Sequence, residues 1–157
     1  RLTMKISEIM TQAAVTDSAE DTLAEACDKM RHAQTSSMLI MDDERLVGIV
    51  TERDVVKSIA RGLDPRQTTL KDVMTTDIVT IGPMTTLKEA ANIMASKWIR
   101  HLPIVEGSKV VGMISQRDLT GVLAGALHEP ERLHQLIEAS HLVRERRLKR
   151  IEAGDYD

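Results

Sequence analysis

The apolar positions of this chain change period in a fixed order, and the order runs twice. Ile6-Ser7-Glu8-Ile9-Met10 is a short apolar lead-in, and Ala14-Val15-Thr16 is a brief extended segment. Leu23, Ala26, Cys27 and Met30 then recur at helical spacing with Glu25 on the other face, which predicts a helix entered near Ser18 to Asp21. Ser37 to Met41 is an apolar run that stops at the polar turn Asp42-Asp43-Glu44, and Leu46 to Thr51 is a second run. The turn between them has hairpin length. Val55, Val56 and Ile59 mark a further helix from Glu52 to Arg61, ended by Gly62.

The second pass reads Ile78-Val79-Thr80, a helix from Leu87 to Ser96 and a strand from His101 to Val105. The turn Glu106-Gly107-Ser108-Lys109, a strand from Val110 to Ser115 and a helix from Gln116 to Ala126 complete it. Residue identities repeat along with the pattern. Gly48-Ile49-Val50-Thr51-Glu52-Arg53-Asp54 returns as Gly112-Met113-Ile114-Ser115-Gln116-Arg117-Asp118, a spacing of 64 (112 − 48). At that spacing Met10-Thr11 falls on Met74-Thr75, Val15-Thr16 on Val79-Thr80, Thr22-Leu23 on Thr86-Leu87 and Glu25-Ala26 on Glu89-Ala90. Met30 falls on Met94 and Ile40 on Ile104, and no gap is needed from about Lys5 to Ala60. So long a period is one supersecondary unit duplicated.

Each unit reads β-α-β-β-α, which makes the expected fold class α/β (α+β). A unit of about 55 residues is marginal alone, because so small a domain buries too little of its surface. Two units packed face to face with pseudo-twofold symmetry remove that difficulty. The expected boundaries are a first domain over 5–62, a linker over 63–68, a second domain over 69–127 and a tail over 128–157. In the tail the repeat breaks: Pro130 suits a first helical turn, and Leu133, Leu136, Ile137, Leu142, Val143, Leu148 and Ile151 predict a C-terminal helix.

Composition narrows the chemistry. A formal charge of −3 gives no general reason to expect nucleic acid or an acidic membrane as partner. No Phe, one Tyr and one Trp argue against stacking platforms for single strands, and nine Met imply adaptable packing of the core. The lone Cys27, matched by Ala91, reads as a small buried residue, and one cysteine suits a reducing cytoplasm. No apolar stretch approaches the roughly 20 residues that span a bilayer. Met4 reads as the natural start. In the tail, His134 and His141 share a helix face, but no Cys or carboxylate completes a metal set there. Arg144, Arg146, Arg147, Lys149 and Arg150 alternate with or adjoin Glu145, Glu152, Asp155 and Asp157, as on a solvated or self-pairing helix face. No catalytic triad, paired-carboxylate constellation, P-loop or G-x-G-x-x-G is present, so the chain reads as no enzyme.

The paired β-α-β-β-α unit ending in G-h-h-[TS]-x-x-D resembles a tandem pair of CBS domains, the Bateman module, over about Lys5 to Ala126. That resemblance implies a regulatory sensor that binds an adenosyl ligand in clefts between the paired domains, and a homodimer. AMP, ADP or ATP is the expected ligand, ahead of S-adenosylmethionine and NADH, with no cofactor required. It implies that one cleft combines Ser115, Arg117 and Asp118 with Arg100 and His101 and with Ala13, Ala14 and Val15. The other combines Thr51, Arg53 and Asp54 with Asp77, Ile78 and Val79. The aspartate would accept from the ribose diol, the hydroxyl residue would touch ribose or phosphate, and backbone near the first strand would hold adenine. A carboxylate can accept from two adjacent hydroxyls, and a helix start offers N–H groups to phosphate. Where the second repeat has Arg100-His101 the first has Ser36-Ser37, so the Asp118 cleft is the expected polyphosphate site. The Asp54 cleft is left with a neutral adenosyl ligand or none.

Other readings of the same residues stand beside these. The motif glycines serve a tight hairpin, Asp54 and Asp118 cap the helices that follow, and His101 is a satisfied strand-end histidine. Arg53 and Arg117 make surface or dimer contacts, and Trp98 packs at a cleft rim or dimer interface. Beyond the sensor, the alternatives are an assembly module with degenerate sites and a regulatory piece of a larger enzyme, channel or transporter. An unidentified regulated protein is then the expected partner, with the terminal helix as output element.

Overall fold

A computed structural model describes residues 4–10, 14–126, 149 and 153. The expected tail helix, its histidines and its basic run therefore lie outside the described residues, apart from Lys149, which is helical. The described residues fall into two compact units. One draws from within Gln12–Thr80 and Val105–Gly112, the other from within Arg1–Thr11, Ile81–Ile104 and Met113–Asp157.

In the unit of the first repeat, β1 (Thr16–Ser18) lies parallel to β2 (Ser37–Asp42), and β2 pairs antiparallel with β3 (Arg45–Thr51). The order is β1-β2-β3. Helix α1 (Leu23–Ala33) follows β1, and α2 (Glu52–Ala60) follows β3. Leu23, Ala26, Met30, Met38, Ile40 and Val50 form the core, with Cys27 packed against it. Burial pushes the Cys27 thiol up in pKa, away from reactivity. The β2–β3 turn places Asp43 in the left-handed region (φ 51°), where the second repeat has Gly107 (φ 64°).

One core residue comes from beyond the repeat. Leu70, on the short helix α3 (Leu70–Val73), is fully buried in the same cluster. Its N–H bonds the Asp21 carbonyl at 2.9 Å, Lys71 N–H bonds that of Ala19 at 2.9 Å, and Thr75 bridges to Ile49. The lead-in of the second repeat thus completes the first core. It also explains Gly48, which sits inside β3 opposite Ile40 rather than in the turn: a Cβ there would strike the Met74 side chain. The hairpin reading of that glycine gives way to close packing.

The other unit holds the second repeat from Ile81 on, apart from Val105–Gly112, which fall in the first. Helix α4 (Leu87–Lys97) leads to β4 (His101–Glu106) and β5 (Lys109–Ser115), a two-stranded sheet, then to α5 (Gln116–Ala126). Its lead-in is the 3₁₀ turn Ile6–Glu8 from the start of the chain. Ile6, fully buried, bonds the Thr85 carbonyl at 2.9 Å, Ser7 that of Pro83 at 3.0 Å, and Leu87 that of Met4 at 3.0 Å. Sequence repeat and compact unit therefore contain different residues: each repeat's lead-in belongs to the unit of the other.

The expected strand Ile78-Val79-Thr80 does not form; the second repeat keeps one isolated parallel bridge, Ile81 to Ile104. The cause lies in β4. In the first repeat the Leu39 N–H bonds the Val15 carbonyl at 2.9 Å. The residue aligned with Leu39 is Pro103, which has no N–H to give.

Candidate functional site

Both [TS]-x-x-D sequences stand where a strand turns directly into a helix. At the start of α2, Asp54 Oδ2 accepts from the Thr51 N–H at 2.8 Å and from Thr51 Oγ1 at 3.3 Å. At the start of α5, Asp118 Oδ2 accepts from the Ser115 N–H at 2.6 Å and from Ser115 Oγ at 3.0 Å, while the Asp118 N–H donates to Ser115 Oγ at 3.3 Å. The helix-capping reading of both aspartates is therefore realised. The Thr22–Glu25 and Thr86–Glu89 pairs close the same kind of box on α1 and α4. Those two boxes were legible as T-x-x-E and give the repeated Thr-Leu-x-Glu-Ala its physical meaning. Bonds from Thr86 hold the exposed Glu89 carboxyl below the usual range.

Capping does not exhaust a carboxylate. Two oxygens carry about four acceptor positions, and the cap bonds of Asp54 and Asp118 all fall on Oδ2. Thr51, Asp54, Ser115 and Asp118 are all half-buried, at corners where helix N–H groups point outward.

The residues before β2 and β4 meet these corners. Ser37 pairs with Thr51 across the β2–β3 ladder, and the Glu52 N–H bonds the Ser36 carbonyl at 3.1 Å. The same closure recurs as a bond from the Gln116 N–H to the Arg100 carbonyl at 2.8 Å. The backbone at Arg100 is thereby fixed beside Gln116. Arg100 and Arg117 are exposed and His101 is half-buried. In the first repeat the same places hold the half-buried Ser36 and the buried Ser37. Trp98, the left-handed C-cap of α4 (φ 58°), opens the turn that leads to Arg100; Gln34 (φ 51°) does so in the first repeat.

The remaining candidates distribute unevenly. Ala14, Val15, Asp77, Ile78 and Val79 all belong to the unit that holds Thr51, Arg53 and Asp54; Ala13 lies outside the described residues. Val15 leads into β1, and its carbonyl accepts the Leu39 N–H. Ala14 and Val15 thus fall in the unit of Thr51 and Asp54, and Ser115 and Asp118 in the other. Asp77 is exposed, and Ile78 and Val79 are half-buried. Among the described residues no group of three or more His, Cys, Asp or Glu is placed to hold a metal ion, and no helix is long and apolar enough to cross a membrane.

One polar cluster escaped the sequence reading: Asp17, buried in β1, with Asp21 and Lys29. Its signal was an aspartate at the position where the second repeat has Ile81.

Comparison with known proteins agrees with this architecture. The family model for the CBS domain matches residues 6–61 and again 70–125. An uncharacterized protein of Methanopyrus kandleri, MK0525, is 30% identical over 76% of this chain; the matched region spans only 62% of that relative's length. Inosine-5'-monophosphate dehydrogenase of Nitrosopumilus maritimus is 35% identical over 71% of this chain but only 23% of its own. Among solved structures, the CBS domain pair of protein MJ0100 in complex with 5'-methylthioadenosine and S-adenosyl-L-methionine superposes with a TM-score of 0.73, at 22% identity, over 78% of this chain and 97% of that one. With two matched domains along most of its length, the chain belongs to the CBS-domain family.

Proposed function

We propose that this chain is a regulatory ligand-sensing module that binds an adenosyl ligand, an adenine nucleotide first of all, at its hydroxyl–aspartate corners. The observation that carries the reading is the corner of Ser115 and Asp118. There a capped helix start, a half-buried carboxylate and the Arg100-His101 turn meet on one hydrogen-bonded backbone. Such a corner offers acceptors to a ribose diol and donors to phosphate. The adenosyl ligands of the MJ0100 domain pair support the class of ligand. The Thr51–Asp54 corner keeps the carboxylate but sets Ser36-Ser37 in place of the bases, so it takes a neutral adenosyl group or stays empty. The module works as a homodimer in the cytoplasm and passes its state to a partner protein. Through the partial match to the dehydrogenase, the reading extends to a regulatory part of a longer chain.

A second reading, an assembly module, draws on α2, where Val56 and Ile59 are exposed at 67% and 58%, one turn apart.

Calorimetric titration with AMP, ADP, ATP, S-adenosylmethionine and NADH at fixed salt separates the two. The sensor reading expects saturable binding of at least one phosphate-bearing ligand near one per chain. No heat from all five favours the assembly module. Asp118→Asn keeps an acceptor for the cap while removing the charge, and should weaken binding about tenfold or more with little loss of stability. Arg100→Ala should weaken ATP more than adenosine; equal losses would take Arg100 out of phosphate binding.

A further inference from the structure

β1 carries an aspartate where a strand covered by a helix ordinarily carries an aliphatic side chain. Asp17 pairs with Ile40 across β1–β2, and its side chain is 1% exposed. Its Oδ1 accepts from Lys29 Nζ at 2.7 Å and from the Ser18 N–H at 2.9 Å. Its Oδ2 is buried and takes no hydrogen bond from the described residues. Asp21 Oδ2 shares the Ser18 N–H at 3.3 Å and stands 3.8 Å from Lys29 Nζ. Two carboxyl groups so placed, with one ammonium between them, are short of one donor. A proton is the donor that fits without new space.

We propose that Asp17, Asp21 and Lys29 form a proton-binding latch that fastens β1 to α1 in the first repeat, and that the second repeat lacks it. The aligned residues there are Ile81, Thr85 and Ile93, which hold no proton in this way. The charged groups around Asp17 are few. Helix α1 brings Lys29, with Glu25 acting on Lys29 from the same helix, and the turn before α1 brings Asp21. Strand β2 presents Leu39, Ile40 and Met41 along the pairing, and the segment after β1 meets α3 through the backbone bond from Lys71 to Ala19. With both carboxyls ionised the trio carries one net negative charge, and one proton makes it neutral. Burial, then the neighbouring Asp21, pushes the Asp17 carboxyl up, while Asp17 draws Asp21 down. Asp17 lies two residues after Val15, so the latch bears on the Leu39-to-Val15 bond that joins this segment to β2.

Side-chain ¹³C NMR titration of the full chain tests this without any variant. The Asp17 carboxyl should bind its proton more tightly than an ordinary aspartate, so its midpoint lies above that of the exposed aspartates of the same chain. Each of the two carboxyl signals should inflect at the midpoint of the other. On acidification through the Asp17 midpoint seen in that titration, amide exchange at Leu39, corrected for its intrinsic rate, should slow, while that at Ile81 should not. Asp21→Asn should reduce Asp17 to a single midpoint. Asp17 titrating at or below the ordinary value, or Leu39 and Ile81 responding alike, would overturn the latch.

Discussion

At the mouth of β2 the first repeat sets Ser36 and Ser37; at the mouth of β4 the second sets Arg100 and His101. The first repeat builds three strands, the second two, because Leu39 has an N–H for Val15 and Pro103 has none. β1 carries the buried Asp17 in an ion pair, and the aligned bridge carries Ile81. The cores, by contrast, match: Leu23 and Leu87, Ala26 and Ala90, Met30 and Met94, Ile40 and Ile104 are buried in both. The duplicated scaffold therefore keeps these helix and strand core positions and varies at the first strand, at its partner Leu39 or Pro103, and at the turns before β2 and β4. Those are the places where backbone donors and charges meet solvent or ligand.

The largest test of this contrast exchanges the edge residues. Leu39→Pro removes the bond to Val15 inside a central strand and should cost about 3 kcal/mol or more in urea unfolding. Pro103→Ala removes no hydrogen bond and should cost only about 1.5 kcal/mol of lost burial. Similar losses for both would break the account of the missing strand.

A smaller effect concerns the ion pair. Lys29→Met leaves a buried carboxylate without its partner and should cost about 1–2 kcal/mol at neutral pH, a figure kept low because Lys29 is half-exposed. The pH dependence follows from the directions of the shifts. Asp17 is raised in the folded protein, so its contribution is full below the ordinary aspartate range and is lost as pH rises through the raised value. The penalty of Lys29→Met should accordingly shrink on acidification. Asp21 is lowered and runs the other way, its contribution fading only as pH falls through its depressed value. A penalty unchanged from neutral to mildly acidic pH would show that the Asp17 charge is not what Lys29 balances.

The smallest sharpens the hairpins. Asp43→Gly gives the first turn the residue that the second already uses, and should raise stability by about 0.5 kcal/mol. A thermal melt that fails to rise would mean that the Asp43 side chain contributes more than its backbone strain costs.

Much of this was written in the pattern. The helices and hairpins lie within a residue or two of their expected limits, because amphipathic period and turn residues act locally. The absent strand was not foreseen: Val79-Thr80 repeats Val15-Thr16, and only the proline in the partner strand prevents pairing. The exchange of lead-ins was invisible for a different reason. A period shows that two units are alike, but Ile6 and Leu70 are apolar lead-ins in either connectivity. The motif aspartates were legible as residues but not as roles. A helix cap and a diol acceptor call for the same carboxylate at the same distance from a hydroxyl, and both uses fit one side chain.

The exchanged lead-ins also set an order of events on the ribosome. Leu70 is made soon after the core it completes. Ile6 must wait for Thr85, whose carbonyl receives its N–H. At roughly 5–20 residues per second, the first apolar turn of the chain stays unburied for roughly 4–16 seconds while the intervening segment is synthesised. Its shortness and the neighbouring Lys5, Ser7 and Glu8 leave little contiguous apolar surface to expose in that interval.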